Sequence, residues 1–396
     1  MIYEVGQGRM LAGWEQTARS VRWSARVCVL AIVPALSVSS ASLARAQSAP
    51  RRAADERQLE QTQREEGEAI LALADAAMAG KPVPSDFRVQ WRNDFVKAQR
   101  GTFVPFTLTV DPTELNRRLA LVYVRATRRS MLSTVERSDR NGRNGRSDAS
   151  RDRTNREETA YPVDAIFPVE LGPASGEASR ISRGFSVPPG EYDVFVVMRE
   201  RVDPSAPRTR PKAAVVRQPL SVPDFRTGEL TTSSVILADR LDVLAEPVPA
   251  DQLAERPYAI GRSEITPAVD RRFGRDEELI VVLLVYNPMV TPEGQFDVRV
   301  EYHFFRKVAG AAAGAPSGAH PPGRAGEEYF NRTDPQRFNP ALMGAAFDPA
   351  TGEPVMAGQV VPLAGFDAGD YRLDVQVIDL LSGKSISRDV MFTVGS

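Results

Sequence analysis

The sequence predicts a mainly β chain in which two β-sandwich domains follow an N-terminal helix. Three observations predict it. The phrase "PPGEYDVFVVMRE", starting at Pro188, returns in altered form as "DAGDYRLDVQVID", starting at Asp367. Short segments around both phrases alternate apolar and polar residues with a period of two, the pattern of a strand with one face buried. Helical composition is confined to one stretch near the N-terminus, so strands must build most of the core.

The bulk numbers exclude several classes. At 396 residues the chain has room for two or three domains, and 42% hydrophobic against 26% charged residues is a globular balance. The 50 Lys plus Arg nearly cancel the 51 Asp plus Glu. No global field draws polyanions, and no nucleic-acid partner is expected.

The N-terminus reads as an export signal over residues 1–46. Arg19, Arg22 and Arg26 precede the apolar run "VCVLAIVPAL" (27–36), and small residues lead to "ARA" (44–46), with cleavage before Gln47. The run is short for a membrane span of about 20 residues and contains Pro34, so no transmembrane helix is expected after cleavage. Met10 offers a second start. Cys28, the one cysteine, lies inside this leader, so the mature chain is expected to lack disulfides and cysteine-ligated metal. The expected location is periplasmic or extracellular.

The elements then follow in order. Residues 47–85 form a helical segment, because "RRAADERQLEQTQREEGEAILALADAAMAG" (51–80) is rich in Ala, Glu, Gln, Leu and Arg and is stopped by Gly80 and Pro82. Only 69–78 offers an apolar face, so the C-terminal half should pack and the N-terminal half protrude. The first sandwich spans 86–225. In "TFVPFTLTVDP", Val104, Phe106, Leu108 and Val110 make the buried face, and Pro105, which lacks a ladder donor, puts the strand at a sheet edge. "LALVYVRAT" (119–127) is the next strand.

Residues from about 129 to 158 are a disordered insertion that cannot build a core. Its seven Arg from Glu136 to Glu158 meet six acidic residues and no aromatic, which argues against RNA. "YPVDAIFPVEL", "GFSVPPGEYDVFVVMRE" and "AVVRQPLSVPDF" complete the first sandwich, and 226–272 reads as a connecting segment.

The second sandwich spans 273–396. "EELIVVLLVYNP" (277–288) is apolar at successive positions, as a strand buried on both faces would be. In "FDVRVEYHFFRK", Phe296, Val298, Val300, Tyr302 and Phe304 alternate with Asp297, Arg299, Glu301 and His303. A flexible Ala, Gly and Pro insertion covers about 309–326, and the chain ends in a hairpin about "LSGK".

The two modules agree part by part, and Tyr192 and Tyr371 lie 371 − 192 = 179 residues apart, the spacing of a domain repeat. Gly190 and Gly369 permit a tight turn, after which the tyrosine can return its hydroxyl to the loop backbone. That is the tyrosine corner of immunoglobulin-like sandwiches, and it makes both domains immunoglobulin-like. The phrase also resembles the Pro-Gly-x-x-Tyr phrase of fibronectin type III domains.

A wider resemblance covers about 95–394. "NDFVKAQRGTFVPFTLTVDP", "LTTSSVILADRLDVL", "ITPAVDRRF", "VYNP" and "DYRLDVQVIDLLSGKSISRDVMFTV" are similar to the sandwich segments of exported bacterial proteins carrying GWxTD or von Willebrand A-related domains. Gly13-Trp14 stands in the leader without Thr-Asp, and the Asp-x-Ser-x-Ser metal motif is missing. The resemblance implies a sandwich portion without the adjoining named domain.

Chemistry is sparse. His303, on a polar strand face, and His320, in a Pro and Gly tract, both read as solvated, and no phosphate loop or Gly-x-Ser-x-Gly elbow occurs. Asp297, Glu301, Asp374 and Asp379 read as surface acids. "DPATGEP" (348–354) and Asp367 to Asp370 offer oxygen ligands of the kind calcium takes. Asn331-Arg332-Thr333 fits a glycosylation sequon. Tyr329, Phe330 and Phe338, set among polar residues, are the candidate ligand contacts, suited to stacking on sugars or anchoring a protein. The reading is an exported, non-enzymatic interaction or scaffolding protein without a cofactor, its partner an envelope protein or polysaccharide. A carbohydrate-binding module and a carboxylate-based hydrolase are the alternatives.

Overall fold

The computed structural model describes residues 42–129, 161–172, 178–202, 209–314, 320–344 and 347–395, with side chains from residue 60 onward. The leader up to residue 41 and most of the insertion read at 129–158 lie outside the described residues. The architecture is mainly β: an N-terminal helix and two immunoglobulin-like sandwiches.

Helix α1 (Ser42–Met78) begins before the expected mature start and ends where Gly80 takes a positive φ of 65°. In the first sandwich the strands are β1 (Val89–Asn93), β2 (Val96–Lys97), β3 (Thr102–Val110), β4 (Leu119–Arg128), β5 (Val163–Glu170), β6 (Ser179–Val187), β7 (Gly190–Glu200) and β8 (Ala213–Val222). The second part of the chain adds β9 (Thr231–Thr232), β10 (Ile236–Val243), β11 (Ala259–Ile260), β12 (Ser263–Pro267), β13 (Arg272–Phe273), β14 (Glu278–Tyr286) and β15 (Val298–Lys307). It closes with β16 (Glu327–Arg332), β17 (Gln336–Phe338), β18 (Val355–Pro362), β19 (Gly369–Asp379) and β20 (Ser385–Val394).

The duplication is visible in the topology. In the first sandwich β3 lies between β6 on one side and β1 and β2 on the other, while the facing sheet runs β5-β4-β7-β8. In the second, β14 lies between β18 on one side and β9 and β10 on the other, and its facing sheet runs β13-β20-β19-β15, with β16 and β17 both on β15. Thus β3 corresponds to β14, β4 to β15, β7 to β19 and β8 to β20. Each core is filled by the inward residues of these strands: Phe106, Leu108, Val122, Tyr192 and Val194 in the first, Leu283, Val300, Tyr302, Phe304 and Leu373 in the second.

Two expectations are corrected. Pro105 sits in a central strand. Its carbonyl accepts from Asp94 N at 2.9 Å, so its missing N–H faces the break between β1 and β2, while the β6 side of the ladder continues through Pro105 opposite Gly184. The segment 226–272, read as a connection, instead supplies β9 and β10 to the sheet of β14 and β11 and β12 beyond them. Its apolar residues, Ile236, Ala238, Tyr258 and Ile265, pack on Val282, on the face of β14 turned away from its own core.

That packing explains the all-apolar β14. Leu279, Val281, Leu283 and Val285 enter the second core, while Val282, Leu284 and Tyr286 face the other way, toward the first sandwich. Phe95 and Val96 cover Leu284 and Tyr286 together with Phe225. The sheets of β3 and β14 therefore meet back to back. On the opposite side of the first sandwich α1 covers the β4–β7 sheet, where Ile70 and Ala74 pack against Tyr123 and Val197. No described helix is long and apolar enough to cross a membrane.

Candidate functional site

The repeated Gly-x-Tyr phrase has the same geometry in both domains. Gly190 (φ 143°) and Gly369 (φ 153°) occupy positions that favour glycine, and the Tyr192 and Tyr371 hydroxyls donate at 2.9 Å to the carbonyls of Pro188 and Asp367. Both tyrosines are buried. We expect Tyr371→Phe to lower stability by about 0.5–1.5 kcal/mol, the net scale of one hydrogen bond. A thermal melt identical to wild type would remove the corner from the stabilising interactions.

The three candidate aromatics are not brought together. Phe330 turns into the second core, with ring centroids 4.8 Å from Phe366 and 5.4 Å from Tyr371, and Phe338 packs partly buried on the same core. Tyr329 takes the opposite face of β16, where period two places a neighbour. There it stacks on His320 at 3.8 Å, nearly parallel, and its ring centroid lies 6.1 Å from that of His303. The chain's two histidines thus flank one tyrosine.

His303 was expected in solvent, yet it is 1% exposed. Burial pushes its pKa down, and Glu301, 3.3 Å away, offsets this in part. The same sheet face carries a buried ion cluster. Arg372, 1% exposed, donates to Glu327 at 2.8–3.0 Å and to Asp374 at 2.7 Å, with its guanidinium 4.2 Å over the Phe305 ring. Burial alone raises the Glu327 carboxyl, but hydrogen bonds from Arg372 and Lys307 bring it down to about 2.

Asp374 and Asp379 are accordingly not surface acids. Asp374 serves Arg372, and Asp379 accepts from Met289 N and Ser382 Oγ in the β19–β20 turn. Asp297 pairs with Arg337, and Glu301 with Arg299 at 2.8 Å. Asp348 caps a turn through Ala350 N, and Asp367 pairs with Arg306 at 2.8 Å. Among the described residues no group of three or more His, Cys, Asp or Glu could hold a metal ion.

The junction between the sandwiches holds the groups that the sequence did not single out. Phe95 N donates to Ser234 Oγ at 2.9 Å and Ser234 N to Phe95 O at 3.0 Å, and Lys97 N donates to the Tyr286 hydroxyl at 3.1 Å. Beside these, Arg92 and Asp94 are 7% and 2% exposed, and the Tyr258 hydroxyl donates to Asp94 Oδ2 at 3.0 Å. Burial raises the Asp94 carboxyl, and Arg92 opposes that. A cavity of about 290 Å³ opens alongside, lined from one sandwich by Thr107, Arg180 and Ser182 and from the other by Arg240, Arg256, Tyr258 and Glu264. Arg256 holds Glu264 below the usual carboxylate range. The one sequence signal was "WRND" (91–94), charged residues inside an otherwise alternating strand.

No family model matches the chain, and no curated protein matches it. Among solved structures, a chain described as Escherichia coli alpha-2-macroglobulin activated by porcine elastase is similar at 9% identity and a TM-score of 0.21, over 78% of this chain. This chain spans 22% of the length of that one, and a likeness at this score assigns it neither family nor role.

Proposed function

We propose that this is an exported, non-enzymatic interaction or scaffolding protein of a bacterial cell envelope or the extracellular space. The observation that carries the reading is the joint. Two sandwiches share a reciprocal pair of hydrogen bonds between Phe95 and Ser234, an apolar seam of Phe225, Leu284 and Tyr286, and a buried Arg92–Asp94–Tyr258 group. A joint with such contacts holds two binding faces at a set separation, which a scaffold requires and an isolated binding module does not. The resemblance to the sandwich segments of exported GWxTD and von Willebrand A-related proteins agrees with it.

The alternatives receive less support. A sugar platform needs aromatics in a row, and Phe330 and Phe338 are committed to the core. A carboxylate hydrolase needs a raised acid in a cleft; Glu264, in the cavity, is lowered by Arg256, and Asp94, which is raised, is buried.

The test is affinity purification of the full chain with a C-terminal tag from its own cells after mild cross-linking, with protein and glycan both identified. We expect a stoichiometric protein partner and a processed N-terminus at Gln47. Recovery of polysaccharide alone, lost on Tyr329→Ala, would replace the scaffold reading with carbohydrate binding.

A further inference from the structure

The buried His303 has a partner on one side of its ring and none on the other. Nε2 meets the Glu301 carboxylate at 3.3 Å, while Nδ1 is buried with no hydrogen-bond partner among the described residues. A neutral ring fits this setting, because Nε2–H donates to Glu301 and Nδ1 keeps only a lone pair. A charged ring does not, because its second N–H would be a buried donor without an acceptor. The charged neighbours are already engaged. Across the sheet His303 lies directly opposite Arg332 of β16 and Asp374 of β19. Asp374 accepts from Ser387 Oγ on Oδ1 at 2.9 Å and from Arg372 on Oδ2 at 2.7 Å. Glu301 is shared with Arg299, and Glu327, farther along β16, is bound to Arg372 and Lys307. Burial weighs most against the cation, with Arg332 adding to it, while Glu301 and Asp374 favour the charge.

The cover beside His303 is lightly held. Tyr329 neighbours it on β16 and carries His320 stacked on its ring. His320 belongs to the Ala, Gly and Pro tract, which folds back beside the sheet: Val308 N donates to Gly326 O at 3.0 Å, Gly326 N to Ala311 O at 2.8 Å and Gly314 N to Gly323 O at 3.2 Å. Gly323 backs onto the Phe305 ring, where a Cβ would stand 3.6 Å from it. Apart from His320 and Arg324 the tract has no side chain larger than proline, so it buries little apolar area. Its ion pair to the sheet, Arg324 to Asp389 at 2.8 Å, is solvent-exposed and correspondingly weak. His320 is a different case from His303. Its Nδ1 already donates to Pro321 O at 2.9 Å, and a cation on a tyrosine face is favourable, so charging His320 does not lift the stack.

We infer that His303 is a proton switch: the neutral ring lets the His320–Tyr329 cover close, and protonation at Nδ1 draws in water, lifts that cover with its tract, and opens the outer face of the second sandwich. Because the closed form prefers the neutral ring, closure is at full strength above the ordinary histidine value of 6.5 and fades as pH falls below it. This window lies above the one in which Glu327 titrates. The switch goes beyond the scaffold reading and does not depend on which partner the protein has.

The experiment is amide hydrogen exchange of the intact protein at pH 7.5 and pH 5.5, read by mass spectrometry in peptides containing Val308, Gly314 and Gly326, with the intrinsic rates divided out. In the wild type the opening constant should rise several-fold at the lower pH, with a ceiling of about tenfold set by the uptake of one proton over that range. His303→Phe and His303→Gln, which take up no proton, should lose the rise. His320→Phe, which keeps a ring on Tyr329, should retain it. Equal opening at the two pH values in the wild type overturns the inference, as does a rise that survives in either folded His303 variant. A rise lost in His320→Phe overturns it as well, since it assigns the response to the other histidine.

Discussion

Arg372→Ala is expected to lower the unfolding free energy by about 3–5 kcal/mol, the penalty for breaking a buried pair and leaving its partners uncompensated. Arg372 is 1% exposed and its guanidinium joins Glu327 to Asp374 while lying over Phe305. Without it, two buried carboxylates face each other with Lys307 as the remaining cation on Glu327. The measurement is urea unfolding at neutral pH. A loss under about 1 kcal/mol would mean that the pair behaves as a surface ion pair and that the cluster does not hold the sheet.

The same cluster predicts an acid response. Glu327 titrates at about 2 in the folded protein against its ordinary value of 4.5. A folded value below the unfolded one gives stability that is present in full above the unfolded value and fades as pH falls through 4.5 toward 2. Glu327→Gln should therefore be less stable than wild type at neutral pH and should lose the part of the acid dependence that falls in this window. Parallel wild-type and variant curves between pH 5 and pH 2 would contradict the assignment.

The second large effect concerns α1. Ile70→Asp is expected to release the helix from the first sandwich while both sandwiches stay folded. Ile70 and Ala74 are fully buried against Tyr123 and Val197, and truncating an aliphatic side chain at such a place costs about 2–5 kcal/mol even before a charge is introduced. Beside Leu73, partly buried on the same cluster, what remains is polar: Asp75 to Arg125 at 2.6 Å, and Glu66 to Arg201 and to Val202 N. Glu66 and Arg125 are buried, but an unpaired charge introduced at position 70 keeps its full desolvation penalty in the closed contact and is relieved when the helix leaves. Limited trypsin digestion should cut the variant at the exposed Arg64 faster than wild type, with the β signal in circular dichroism retained. Wild-type resistance at Arg64 would show that the polar contacts suffice, and loss of the β signal in circular dichroism would show that α1 is part of the first core.

Much of this architecture was legible from residues close together in the chain. Alternation marked β3, β4, β14 and β15 because a strand exposes its pattern to any reader who knows the period. The Gly190–Tyr192 and Gly369–Tyr371 phrases carried their own hydrogen bond, over four residues. The Val-rich β14 announced two buried faces without saying what covered the second one. By contrast, Pro105 was read as an edge marker because its missing donor was seen without the break at Asp94 that faces it. The aromatics Tyr329, Phe330 and Phe338 were read as a group from their polar surroundings, although adjacent residues on a strand point to opposite faces.

The sequence by itself determined the class, the repeat, the helix ahead of the sandwiches and the inward faces of the strands, because these depend on local periodicity and composition. Only the tertiary structure decided which polar residues are buried. Arg92, Asp94 and Tyr258 come from positions 92, 94 and 258, and Arg372, Glu327 and His303 from three strands, so no window of sequence contains either group. A charge reads as surface until another part of the chain covers it. Burial and pairing are properties of contacts between distant segments, and such contacts exist only once the chain has folded.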